Sequence, residues 1–150
     1  MEVETDDTAL LTLFQNKATK NEGFKAILNK YSQPIYYFLR KMGLDHEDAD
    51  ELLQDAFIKF WKAPTRDGTD NYIRNTLFYM AAVLCRTKNT NGLLNGLTTE
   101  QSMMLILSQQ EGFDFAEVAQ ITSVPVKEVR NSFNKILSLF NDQQNIKNQK

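Results

Sequence analysis

Apolar residues in this chain recur at intervals of three and four, and no stretch of strict alternation competes, so the pattern predicts helix nearly throughout. Leu10, Leu11, Leu13 and Phe14 predict a first short helix ending near Lys17, with Asp6, Asp7 and Thr8 placed to cap its amides and suit its dipole. Phe24, Ile27, Leu28, Tyr31, Ile35, Phe38, Leu39 and Met42 form the apolar face of a second segment, in which Pro34 is an expected break or kink and Gly43 the close. The strongest pattern follows. Asp45 stands as an N-cap with Asp48 three residues on, and Ala49, Leu52, Leu53, Ala56, Phe57, Phe60 and Trp61 share a stripe that ends with Lys59 and Lys62 in the last turn. Pro64 and Gly68 mark a loop, and Tyr72, Ile73, Leu77, Met80, Ala81 and Leu84 predict a fourth helix that completes one bundle.

Between Arg86 and Leu97 the chain turns polar and carries two glycines, which reads as a linker. The expected organisation is therefore a helical domain over residues 1–88, a linker over 89–96, a second helical domain over 97–140, and a frayed or disordered tail over 141–150. The fold class is all-α, built from two small helical domains. Thr98 and Gln101 hold the spacing of a capping box at the start of a helix through Met103, Met104, Ile106 and Leu107, which Gly112 ends. Residues 115–133 then have the layout of a helix-turn-helix. Val118, Ile121, Val124, Val129 and Phe133 can share a core, Ala119 is small where two helices must approach, and Pro125 suits the start of the second helix.

In that second helix Lys127, Glu128, Arg130, Asn131 and Asn134 are expected to point outward. Asn and Arg can make paired hydrogen bonds to base edges in a major groove, and Lys can position on phosphate. An ordinary helical hairpin with a polar outer face has the same pattern, so this segment alone leaves both readings open.

Composition narrows the classes. Apolar residues make up 42% and charged residues 24% of the 150 positions, which suits a globular protein with a core. Seventeen basic residues face 19 acidic ones, and the near balance holds in both halves, with 12 against 13 over residues 1–88 and 5 against 6 over 89–150. Neither half is a basic grip for duplex DNA, whose affinity scales with the phosphates neutralised. No apolar run reaches the roughly 20 residues of a membrane span, and the acidic residues 1–7 do not resemble a signal peptide, so a cytoplasmic protein without membrane insertion is expected. Cys85 and His46 each stand alone, which leaves no Cys–His metal site, and no cofactor is expected. With no nucleophilic triad, phosphate loop or spaced metal ligands, an enzyme is the least expected class.

Residues 45–61, DHEDADELLQDAFIKFW, resemble region 2 of the extracytoplasmic-function sigma factors of the sigma-70 family: an acidic helix start, an acidic Leu-Leu-Gln-Asp core and a Phe-x-x-x-Trp finish. Residues 24–40 are similar to the helices that precede it, and 97–101 with the helix-turn-helix are similar to sigma region 4, in the family's order. The resemblance implies a subunit that lends promoter recognition to the core of bacterial RNA polymerase. It implies docking on polymerase through Asp50, Glu51, Gln54 and Asp55, although an acidic run of this kind also caps a helix and solvates its face. It implies contact with the −10 element through Lys62, Arg66, Asn71, Arg74, Phe78 and Tyr79, whose cations and rings suit an unpaired strand. The −35 element would be read by Lys127, Glu128, Arg130, Asn131 and Asn134, and an anti-sigma factor is a further implied partner.

The chain also departs from the family pattern. Phe78, Tyr79 and Val83 stand where polar positions are usual, and the basic run of the fourth helix is reduced to Arg86 and Lys88. The segment between the two domains is about ten residues, which reaches only roughly 35 Å when fully extended. A second reading is therefore carried alongside the first: a degenerate sigma-like helix-turn-helix regulator that binds polymerase, DNA or a regulatory protein without initiating transcription.

Overall fold

A computed structural model describes residues 6–63, 71–88 and 97–148, with side chains through Ser138. Four helices form the first bundle: α1 (Asp7–Gln15), α2 (Lys20–Lys41), α3 (His46–Lys62) and α4 (Tyr72–Arg86). The Asp6 side chain caps α1 by accepting from the amide of Ala9 at 2.9 Å, and Asp45 caps α3 by accepting from Asp48 at 2.8 Å. Asp7 fastens α1 to α2, since its two oxygens accept from Lys30 Nζ and from the Tyr31 hydroxyl, each at 2.5 Å. Behind them Phe14 lies against Phe24, Phe60 and Trp61, with ring centroids 5.1–6.1 Å apart, and joins α1, α2 and α3 in one aromatic cluster.

α2 departs from expectation at Pro34, through which it runs as one helix of 22 residues. A proline in a helix interior costs about 3 kcal/mol because it lacks an N–H and crowds the preceding turn. Ile27, Tyr31, Ile35, Phe38 and Leu39 are buried on both sides of it, and burial at about 1.5–3 kcal/mol per large side chain outweighs that cost.

The C-terminal helices are α5 (Thr99–Leu105), which continues into a π-helical turn over Ile106–Gln110, then α6 (Phe115–Thr122) and α7 (Val126–Asn148). The Thr98–Gln101 capping box forms in both directions, and a second one joins Asp114 and Glu117 at the start of α6. The π turn was not legible as such. It ends where Gly112, at φ 75°, turns the chain so that the amide of Phe113 donates back to Leu107 at 3.1 Å. The helix-turn-helix corner uses Ser123 in the left-handed region, at φ 59°, and the Val124 amide closes it on the Ala119 carbonyl at 3.1 Å. The backbone of α7 is helical through Asn148, whereas a tail without structure was expected from residue 141. Once a helix is nucleated and anchored by packing, adding polar residues to its end is cheap, so low hydrophobicity is a poor stop signal.

The two sets of helices share one continuous apolar core. Phe78 of α4 meets Phe38 of α2 at 5.5 Å on one side and Phe113 at 5.1 Å on the other. Cys85 is buried on the same helix, and desolvation pushes its thiol from the ordinary value near 9 up to about 11. The expected linker, residues 89–96, lies outside the described residues.

Two outcomes follow from this packing. A Cβ at Gly23 would stand 2.7 Å from the Phe14 amide nitrogen and 3.0 Å from the Leu13 carbonyl carbon, both backbone atoms. Gly23→Ala, which gains up to about 1 kcal/mol in an open helix, is therefore expected to lose about 1–3 kcal/mol in urea denaturation, because α1 must move away from α2. For Cys85, the folded chain holds its proton more tightly than the unfolded chain, so this contribution to stability is complete below about pH 9 and lost as pH rises toward 11. Urea midpoints measured across that window in Cys85→Ala should fall less steeply than in the parent.

Candidate nucleic-acid interface

The acidic end of α3 presents its polar residues outward because its apolar stripe is committed to the bundle. Asp50, Glu51 and Gln54 are exposed and Asp55 is half-buried. Gln54 Nε2 donates to Asp50 Oδ2 at 3.2 Å, one turn away, which holds an amide and a carboxylate together on one face. Ile58, one turn beyond Gln54, is 50% exposed. Carboxylates beside a bare aliphatic side chain suit a partner that is both basic and apolar. Sequence reading missed Ile58, whose signal was its position off the buried stripe.

The second candidate surface belongs to α4 and its approach. Lys62 is exposed at the end of α3, and Arg66 lies outside the described residues. The structure gathers Asn71, Arg74 and Tyr79, and it sets all three against the C-terminal helices. Asn71 Nδ2 donates to Glu117 Oε2 at 3.4 Å. The Arg74 guanidinium donates to the Glu111 carbonyl oxygen at 2.5 Å and lies 3.8 Å over the Phe113 ring. Tyr79, 41% exposed, lines a cavity of about 220 Å³ with Tyr72, Asn75, Thr76 and, from α6, Gln120. Rings and amides of this kind can stack and hydrogen-bond an unpaired base. Phe78 does not belong with them. It is 2% exposed, between Phe38 and Phe113, so the ring expected to meet a base is part of the core.

Other cations near α4 are paired within the chain. Arg86 donates to both carboxylate oxygens of Glu100, at 2.5 and 3.1 Å, and to the Thr122 carbonyl at 2.6 Å. Lys88 stands 3.7 Å from Asp48, and Lys41 of α2 3.7 Å from Glu111. The near-neutral charge of the sequence is thus expressed as pairs, two of which join the first bundle to the C-terminal helices.

The third surface is the first half of α7. Lys127, Glu128, Arg130, Asn131 and Asn134 are all exposed, and intervals of three and four put Lys127, Arg130, Asn131 and Asn134 on one side of the helix. Val129 and Phe133 are buried behind them, with Phe133 stacked on Phe115 at 4.7 Å. An N-terminal helix face of Lys, Arg and Asn, held by an apolar back against a short preceding helix, is the geometry that enters a major groove.

A family model for sigma-70 region 2 matches residues 27–75, and one for sigma-70 region 4 matches residues 91–137. The matched segments include α3 and the helix-turn-helix and follow the order in which the chain builds them. No curated protein matches the chain. Among the described residues no helix is long and apolar enough to cross a membrane.

The Arg86 contacts generate a stability expectation. Arg86→Ala removes a forked, half-buried pair together with the donor to Thr122, and should cost about 1–3 kcal/mol in urea denaturation. Arg86→Lys keeps the charge and loses the fork, so it should recover less than half of that loss.

Proposed function

We propose that this chain, which belongs to the sigma-70 family and to its extracytoplasmic-function type, binds the core of bacterial RNA polymerase and directs promoter-specific initiation. The reading rests on one observation above the others: region 2 and region 4 occur in order on one chain, each with an outward polar face of suitable chemistry. In this proposal residues 1–88 and 97–140 are the two working modules of a cytoplasmic protein. Asp50, Glu51, Gln54 and Asp55 dock on a basic helical element of polymerase, with Ile58 adding apolar area at the centre of the contact. Lys62, Arg66, Asn71, Arg74 and Tyr79 hold the separated −10 strand, the cations on phosphates and the ring on a base. Lys127, Arg130, Asn131 and Asn134 read the −35 element in the major groove, and Glu128 contributes by accepting from a cytosine amine. Polymerase supplies the electrostatic grip that the chain lacks, and an anti-sigma factor is a further partner.

Each step has a physical division of labour. Docking brings the α4 face close to the start site, so that weak contacts act at high effective concentration. Strand separation is favoured because rings and cations bind the open strand more tightly than the duplex. The second reading, a regulator that binds without initiating, keeps the same surfaces and differs only at the last step.

Transcription from pooled genomic fragments with purified core polymerase tests the proposal. Promoter-dependent transcripts with defined 5′ ends are expected when the chain is added, and their absence despite stable core binding overturns it in favour of the second reading. Gln54→Ala combined with Asp55→Ala should weaken core binding about tenfold, as read by fluorescence anisotropy, while leaving the fold unchanged by circular dichroism.

A further inference from the structure

We infer that the cavity between α4 and α6 is a binding site for a free, uncharged purine that carries an exocyclic amine, with adenosine as its chemical type. The inference goes beyond the reading of Tyr79 given above, which concerns a base carried on a strand, and it gives a role to Asn75, Thr76 and Gln120. Tyr72, Asn75, Thr76 and Tyr79 stand at intervals of three and four, so one face of α4 presents two rings about 10 Å apart along the helix axis, with an amide and a hydroxyl between them. Gln120, from α6, completes the lining. Both helices are anchored in the common apolar core, so the cavity is formed before a ligand arrives and binding need not order it.

Size, charge and hydrogen bonding each narrow the occupant. The volume of about 220 Å³ lies below the roughly 300–1,000 Å³ of drug-sized pockets and suits one bicyclic ring with little more attached. Among the described residues the lining holds two phenols, two amides and a hydroxyl, with no carboxylate, ammonium or guanidinium, so a charged ligand finds no counter-ion there. Arg74, beside the lining on α4, is engaged by the Glu111 carbonyl and the Phe113 ring. Glu117, about one turn before Gln120 on α6 and bonded to Asn71, sets negative charge nearby that repels a phosphate. Asn75 supplies the specificity. Its Oδ1 is buried and has no hydrogen-bond partner among the described residues, a costly state for an acceptor. The terminal torsion of an Asn is broad, so a modest rotation turns this oxygen into the cavity, where a ligand N–H satisfies it. An Asn or Gln amide pairs at two points with adenine, accepting from its 6-amino group and donating to N7. Asn75 and Gln120 bring one such amide from each helix, and the Tyr72 and Tyr79 rings supply the stacking area that a purine requires.

The test is titration of the isotope-labelled full chain with adenosine, inosine, adenosine monophosphate and a mixed-sequence single-stranded oligonucleotide, read from the side-chain amide resonances of Asn75 and Gln120. Adenosine is expected to shift both signals saturably. Inosine, in which a carbonyl replaces the 6-amino group, and the monophosphate, which adds charge, should each bind at least about tenfold more weakly. Asn75→Ala should weaken adenosine binding at least about tenfold. Gln120→Ala, whose parent side chain is exposed, should weaken it as well and keeps the test decisive if the Asn75 variant unfolds. Absence of saturable adenosine binding overturns the inference, and so does binding of inosine or the monophosphate as tight as that of adenosine. Shifts caused by the oligonucleotide and not by adenosine also overturn it and assign the cavity to the strand-binding face. None of these signals depends on transcription, so the initiation reading stands or falls separately.

Discussion

The structure depends on α4 having two sides. A surface helix has one apolar stripe, but α4 buries Ile73, Leu77, Phe78, Ala81, Ala82, Leu84 and Cys85, which together span about half of its circumference. One side completes the first bundle through Phe38 of α2, and the other receives the C-terminal helices through Phe113. Small residues at 81 and 82 let neighbouring helices approach, and two polar positions, Arg74 and Arg86, bond the incoming backbone at Glu111 and Thr122. Removing either half of this arrangement would expose a helix too apolar to face water.

The double coverage of α4 accounts for the departures from family pattern that the sequence displays. Phe78 stands at a position usually polar because α4 is covered by its own chain as well as by its own bundle. The reduced basic run has a related cause: Arg86 and Lys88 are paired with Glu100 and Asp48, so these cations serve as fasteners. Reading the apolar positions of α4 as a single stripe hid this, since Leu77 and Ala81 satisfied the period and Phe78 could be assigned to a base. The discriminating signal was present in the sequence as apolar residues at adjacent positions, Leu77 with Phe78, Ala81 with Ala82, and Leu84 with Cys85.

Local chemistry was legible where one residue type has one physical role. Asp6, Asp45 and Thr98 cap the helices they precede, and Pro125 immediately precedes α7. Legibility failed where tertiary context decides between two local outcomes. Pro34 is a helix breaker in isolation and is overridden by buried neighbours on both sides. Ser123 adopts a conformation in which glycine is usual, held there by the Val124 amide and the burial of Ile121 and Val129 around the corner. The π turn before Gly112 is of the same kind, since nothing in Ile106–Gln110 announces a wider helix. The candidate residues of α3 and α7 lay on polar helix faces, so their placement could be inferred from period alone, whereas the placement of Asn71 and Arg74 required knowing what the C-terminal segment packs against.

The same seam between the two sets of helices accounts for part of the near balance of charge. Here the carboxylates and carbonyls that occupy Arg74, Arg86, Lys41 and Asn71 are carried by the segment 100–122, and the groups they occupy by α2, α4 and the residue before α4. These cations serve packing: removing one partner leaves a half-buried charge or carbonyl without its complement, which costs more than an exposed pair contributes, so the near-zero net charge reflects how the two halves are joined.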